Sequence, residues 1–137
     1  MDTEVMDFEN RVAVITGGGA GLGKTYAKEL ARRGAKIVIN DIGKDEKSGQ
    51  KVSDIAVKEI IQAGGQATAN YDSVAEEAGA RSIVTQAMDE YGRIDILINN
   101  AANLRDRTFL KTNMEEFMSV FNTHLMGTIH TSHEAFP

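Results

Sequence analysis

The sequence predicts an α/β fold built on a doubly wound parallel sheet. Three observations carry that expectation. Short apolar runs alternate with helix-patterned segments in the order β-α-β-α-β-α-β-α. A glycine-rich turn, Gly17 to Gly23, joins the first run to the first helix. The four runs end in polar or turn-forming residues: Thr16-Gly17, Asp41, Asp72-Ser73 and Asn99–Ala101. Strict alternation makes neighbouring strands parallel, and right-handed crossovers place helices on both faces. The ligand crevice of such a sheet lies at the carboxyl ends of the strands, where chain order reverses.

The elements follow in order. Residues 1–10, MDTEVMDFEN, read as a short flexible lead with Phe8 tucked against the sheet, and the domain proper spans 11–137. Val12 to Ile15 form the first strand. The next segment carries Leu22, Tyr26, Ala27, Leu30 and Ala31 on one helical face, and Gly34 stops it. Ile37 to Ile39 form the second strand, and 42–50 is a polar surface loop. Val52, Ile55, Ala56 and Ile60 mark a helix over 51–63, ended by Gly64 and Gly65. Residues 66–72 are a weak third strand. A third helix covers 75–91, with Ile83, Val84, Ala87, Met88 and Tyr91 as its buried face and Gly92 as its stop. Residues 94–98, IDILI, form a fourth strand suited to burial on both faces. After a loop over 103–111, Thr112 and Glu115 make a capping-box pattern. Met114, Phe117, Met118, Phe121, Leu125 and Ile129 then mark a helix to the end of the chain, bent near Gly127, whose stripe is core or a dimer surface.

Composition narrows the function classes. The 137 residues suffice for one domain with a core. The net charge is −5 with no basic stripe, which argues against a nucleic-acid partner. The chain has no cysteine, so disulfides and thiolate metal sites are excluded. The acidic start lacks the apolar region of a secretory signal, and no run is long enough to span a bilayer. His130 and His133 stand three apart on a helix without a third ligand, so they read as surface histidines and no metal site is assigned. Arg105 and Arg107 could meet an acyl-CoA phosphate but read more simply as solvated loop arginines.

The chemistry gathers at the glycine-rich turn. Gly17, Gly21 and Gly23 let the backbone approach a phosphate closely, and the helix that follows, opening at Leu22, points free N–H groups and its positive dipole end at the anion. Asp41 ends the second strand, where a carboxylate accepts from both ribose hydroxyls of an adenosine and repels a 2′-phosphate; this points to NAD. Gly18–Thr25, GGAGLGKT, also fits the pattern G-x-x-x-x-G-K-[ST]. On that reading Lys24 would meet the β/γ-phosphates of a nucleotide and Thr25 would hold Mg²⁺. Both readings stand on the turn alone.

Taken together, these residues resemble the short-chain dehydrogenase/reductase family, with its Rossmann-type fold. Thr16–Gly23, TGGGAGLG, fits the family pattern T-G-x-x-x-G-x-G. Asp41 fits the acidic residue of NAD-dependent members, Asp72-Ser73 the adenine cradle, and Asn99–Ala101 the N-N-A after the fourth strand. The resemblance covers nearly all of the chain after residue 10 and implies NAD contacts at Gly17, Gly21, Leu22, Gly23, Asp41, Asp72, Ser73, Asn100 and Ala101. More narrowly, VINDIG, ANYDSV, YGRID, NLRDRTF and THLMGT are similar to the dehydrogenase domain of the multifunctional enzyme type 2 subgroup of fatty-acid β-oxidation. That implies oxidation of a 3-hydroxyacyl-CoA, a homo-oligomer, and a cytoplasmic or, in a eukaryote, peroxisomal setting. Two positions depart from the family pattern. Ala102 replaces the usual glycine, and His124 stands where the family has its active-site asparagine, which implies a proton-relay role for His124. The family's catalytic Ser and Tyr-x-x-x-Lys have no counterpart: Tyr26, Tyr71 and Tyr91 lack a lysine four residues on. The expectation is therefore a fragment truncated after the fourth strand and its following helix, with little turnover and limited stability alone. A non-catalytic NAD-binding module is the other reading that fits.

Overall fold

The computed structural model describes residues 6–137. Its sheet has four parallel strands in the order β3-β2-β1-β4: β1 Val12–Thr16, β2 Lys36–Asn40, β3 Gln66–Asn70 and β4 Ile96–Asn99. Chain order reverses between β1 and β4, so the crevice expected from the alternation opens there. Helices α1 (Gly21–Arg32), α2 (Val52–Gln62) and α3 (Glu77–Tyr91) are the three crossovers. The third strand ends at Asn70, two residues early, and Tyr71 and Asp72 belong to the loop beyond it.

The unbroken apolar runs have the reason expected of them. Ala13, Ile15, Ile37 and Ile39 point to one face and pack on Ala27, Ala31, Ala56 and Ile60 of α1 and α2. Val12, Val14 and Val38 point to the other and pack on Ile83 and Ala87 of α3. The side-chain period of two sends neighbours to opposite faces, and both faces are covered. Met88 is the exception on α3, since its phase turns it outward, 48% exposed. Among the described residues β4 pairs only with β1, so it is an edge strand, with Ile96, Leu97 and Ile98 half-buried.

Residues 1–5, half of the segment expected to be a flexible lead, lie outside the described residues. Within 6–10 the chain is tied down. Phe8 donates its N–H to the Arg33 carbonyl at 2.8 Å and packs against the core, as expected of it. Asp95 then fixes the entry to β1. One carboxylate oxygen accepts the Val12 N–H at 2.8 Å, and Arg93 grips both oxygens at 2.6 and 2.9 Å. The Arg93 guanidinium foremost, with the Val12 N–H, holds the Asp95 carboxyl at about 2, well below its ordinary 3.8. A depressed carboxyl stabilises the fold above its unfolded pKa and loses that contribution as the pH falls through its folded one. Stability should therefore drop as the pH falls from about 4 through about 2, and Asp95→Asn should flatten that acid limb while lowering stability at neutral pH. Urea midpoints of both proteins across that range check this; parallel acid limbs would refute it.

The C-terminal helix is not continuous. Asn113, not Thr112, caps it: Asn113 Oδ1 accepts the Glu116 N–H at 2.8 Å, while Thr112 bonds back to the Thr108 carbonyl and closes a 3₁₀ turn at Phe109–Lys111. α4 (Met114–Phe121) passes through a π-helical turn, Asn122–Met126, into α5 (Gly127–Ala135). The bend expected near Gly127 is that turn. α5 docks through small residues. A Cβ on Gly127 would lie 2.7 Å from Val74 Cγ2, and Thr131 is fully buried. The Met and Phe stripe is not core: Met114, Phe117, Met118, Phe121, Leu125 and Ile129 are all exposed. Among the described residues no helix is long and apolar enough to cross a membrane.

Candidate functional site

The carboxyl ends of the strands open into a cleft of about 310 Å³. Gly17, Asp41, Asp72, Ser73, Asn100 and Ala101 line it, bringing together residues far apart in sequence. Ala102, already marked by its departure from the usual glycine, completes the wall with Ala20, Asn40, Ile42, Val74, Asn103 and Thr123, which were not singled out from the sequence. Strand-end position was the signal for Asn40, which adjoins Asp41.

Gly21, Leu22 and Gly23 form the first turn of α1 beside this cleft. Gly21 has φ +53° with nothing within 4 Å of where a Cβ would point, so its backbone is open to close approach. The N-cap Ala20 supplies no side-chain acceptor, and no acidic residue occupies the first turn. The positive end of the helix is thus left without a capping charge of its own. Leu22 is 67% exposed, not packed with Ala27 and Ala31 as its helical spacing suggested. The Mg-nucleotide reading loses its two key groups. Lys24 is ion-paired with Glu59 of α2, Nζ to Oε1 at 2.5 Å, and Thr25 Oγ1 donates to the Gly21 carbonyl. Both side chains are thus engaged within α1 and between α1 and α2.

Thr16 and Asn100 lock the floor. Thr16 Oγ1 accepts the N–H groups of Asn100 and Ala101 at 3.1 and 3.0 Å, and Asn100 Nδ2 donates to the Gly17 carbonyl at 3.0 Å. Asn99 has a different partner set: its side chain meets Thr131 and Ser132 and ties β4 to α5. Asp41 Oδ2 accepts the Gly19 N–H at 3.0 Å and Oδ1 accepts the Gly43 N–H at 2.8 Å. The carboxylate therefore spans the glycine-rich turn and the loop after β2. Ser73 Oγ accepts the Ala75 N–H at 3.2 Å, shaping the turn into α3.

His124 lies in the π-helical turn and does not line the cleft. Its Nε2 sits 2.9 Å from the Asn103 carbonyl and 3.1 Å from the Asn103 N–H. The ring thus holds the loop after β4, whose Asn103 reaches Ser119 with its amide and faces the cleft. Arg107 pairs with Glu116 at 2.8 Å, and Arg105 donates to the Leu104 carbonyl. His130 Nδ1 lies 3.1 Å from the Val74 carbonyl, and no metal-binding cluster occurs among the described residues.

An uncapped helix N-terminus, an open glycine and two strand-end carboxylates suit a dinucleotide: diphosphate at Gly21–Gly23, ribose at Asp41, base at Asp72. Comparison with known proteins identifies the family. A model described as short chain dehydrogenase matches residues 11–137. The peroxisomal hydratase-dehydrogenase-epimerase of Saccharomyces cerevisiae is 48% identical over 135 residues, 96% of this chain and 15% of that protein. The peroxisomal multifunctional enzyme type 2 of Drosophila melanogaster is 47% identical over 133 residues, 95% of this chain and 22% of that one. A crystal structure of a short chain dehydrogenase from Mycobacterium avium superposes with a TM-score of 0.86 at 37% identity, covering 93% of this chain and 46% of its own. The chain thus spans less than half the length of each of these relatives, and it belongs to the short-chain dehydrogenase family.

Proposed function

We propose that this chain is the cofactor-binding part of an NAD-dependent dehydrogenase acting on a secondary alcohol of the 3-hydroxyacyl-CoA type. The observation that carries the cofactor is Asp41. Backbone N–H groups from Gly19 and Gly43 hold one oxygen each, and the charge stands at the cleft beside the glycine-rich turn. A carboxylate so held accepts from ribose hydroxyls and opposes a 2′-phosphate. NAD, when bound, supplies the hydride acceptor. The chain's own residues bind and orient: the α1 N-terminus takes the diphosphate, Asp72 and Ser73 flank the base, and Asn100 and Ala101 form the floor near the reacting end. His124 serves that end by holding Asn103. The substrate class rests on the two peroxisomal relatives named above. So does a peroxisomal setting in a eukaryote; the setting is otherwise cytoplasmic. The exposed apolar stripe of α4 and α5 supports self-association. Hydride transfer also needs a general acid/base at the reacting oxygen, and no Tyr-x-x-x-Lys occurs in this sequence. These 137 residues alone should therefore turn over no alcohol.

The test is a parallel titration with NAD, NADP and Mg-ATP, followed by thermal stability. NAD should stabilise the chain, and NADP should bind at least about tenfold more weakly. Asp41→Ala should weaken NAD by about tenfold and erase that preference. Stabilisation by Mg-ATP alone would overturn the reading.

A further inference from the structure

Polar atoms shut away from water are normally paired. Among the described residues three buried side-chain atoms lack a partner: Ser53 Oγ, Glu116 Oε2 and Asn103 Oδ1. Ser53 lies in the first turn of α2, and Glu116 holds Arg107 with its other oxygen. Of the three residues, Asn103 alone lines the cleft. Its amide is not free to exchange ends. Nδ2 donates to Ser119 Oγ at 2.9 Å and to the Ser119 carbonyl at 3.3 Å. A carbonyl only accepts, so the nitrogen takes the α4 side and the oxygen takes the other end of the amide. His124 Nε2 brackets the Asn103 backbone, 3.1 Å from its nitrogen and 2.9 Å from its carbonyl oxygen. The residue is thus held through its backbone and one end of its side chain, while the acceptor at the other end has nothing to accept.

An apolar side chain could pack at this position without leaving an orphan acceptor. Asn103 closely follows Asn100 and Ala101, which form the cleft floor near the reacting end. We propose that Asn103 is a further binding residue of the dinucleotide site, whose Oδ1 accepts a hydrogen bond from the half of the ligand beyond the diphosphate. That half carries two kinds of donor, the hydroxyls of its ribose and the N–H groups of its carboxamide. The chain from Asn100 to Thr108 carries no helix or strand, so a small shift of this loop brings the oxygen to the cleft surface. The bond then satisfies an acceptor that water does not reach, so losing it costs more than losing a solvated contact. The inference rests on the dinucleotide reading above and extends it to a side chain outside the glycine-rich turn and the strand-end carboxylates.

NAD, ADP-ribose and ADP are the probes, titrated calorimetrically into the chain and two variants. ADP-ribose keeps the second ribose without the nicotinamide, and ADP lacks both. Asn103→Leu removes the acceptor at similar volume and should weaken NAD about tenfold while leaving ADP unchanged. Ser119→Ala frees the amide without removing the acceptor and should weaken NAD about threefold, again sparing ADP. A loss shared by ADP-ribose assigns the donor to the ribose hydroxyls; a loss confined to NAD assigns it to the carboxamide. Unchanged NAD affinity in both variants would overturn the inference and leave the NAD reading standing. Equal weakening of NAD and ADP would overturn it too, because Asn103 would then only shape the floor that both ligands share. Should Asn103→Leu fail to fold, Ser119→Ala decides by the same comparison. A parent chain that binds none of the three ligands would overturn both readings.

Discussion

Gly23→Ala is expected to lower stability by about 2–3 kcal/mol and to abolish dinucleotide binding. A Cβ at this position would stand 2.3 Å from the Gly17 carbonyl oxygen and 2.5 Å from Asn100 Nδ2. Those two atoms are bonded to each other at 3.0 Å, so the methyl would wedge into the contact that joins the glycine-rich turn to the end of β4. One neighbour is backbone and cannot rotate away. Relief requires α1 to back off the sheet, which moves the helix N-terminus from the cleft. Gly49→Ala is the control. Its φ of +71° also penalises a side chain, but nothing lies within 4 Å and it sits on the loop after β2. It should cost about 1 kcal/mol and leave binding intact. Urea denaturation and NAD titration of both variants decide the matter. Equal losses in the two would mean that close approach at Gly23 is not what the turn depends on.

Thr16→Val is expected to cost about 2–4 kcal/mol, although the side chains are nearly the same size. Thr16 is 1% exposed. Its hydroxyl accepts two backbone N–H groups, from Asn100 and Ala101, at the end of an edge strand with no neighbour beyond it in this sheet. A methyl in its place leaves both donors without their partner in a region closed to easy hydration. The segment 99–101 should then drift from Gly17, widening the cleft floor and weakening NAD more than tenfold at about 1.4 kcal/mol per decade. Thr16→Ser keeps the hydroxyl and loses one buried methyl, so it should cost only about 1 kcal/mol. The order Val worse than Ser, in both unfolding and binding, is the result to look for. The reverse order would place the stabilisation in the methyl group.

Much of this molecule is legible in the chain because the relevant physics is local. Apolar runs too short for helices, segments at a 3.6 period and glycines at the turns specify the elements, and strict alternation specifies a parallel sheet. The strand-end residues follow from the same count, which is why Gly17, Asp41, Asp72, Ser73, Asn100 and Ala101 meet in one cleft. Boundaries moved where a side chain had a better local offer. Asn113 displaced Thr112 as the cap, and β3 stopped at Asn70 because its amide turns to bond Asp72.

Packing decided the rest. Periodicity assigns residues to a helix face but not the phase of that face against the sheet, so Leu22 and Met88 point outward and Lys24 pairs with Glu59 across two helices. The π-helical turn inserts an offset that no periodicity announces, and it sets His124 on the Asn103 loop rather than in the cleft. The bonds that shape the site join residues far apart in the chain: Thr16 to Asn100, Asp95 to Val12, Asn40 to Asn70 and Asp72. Composition and spacing carry the order of strands and turns, because each depends on a few neighbours along the chain. Which hydroxyl meets which amide depends on three-dimensional closure of the sheet, and only the folded structure contains that.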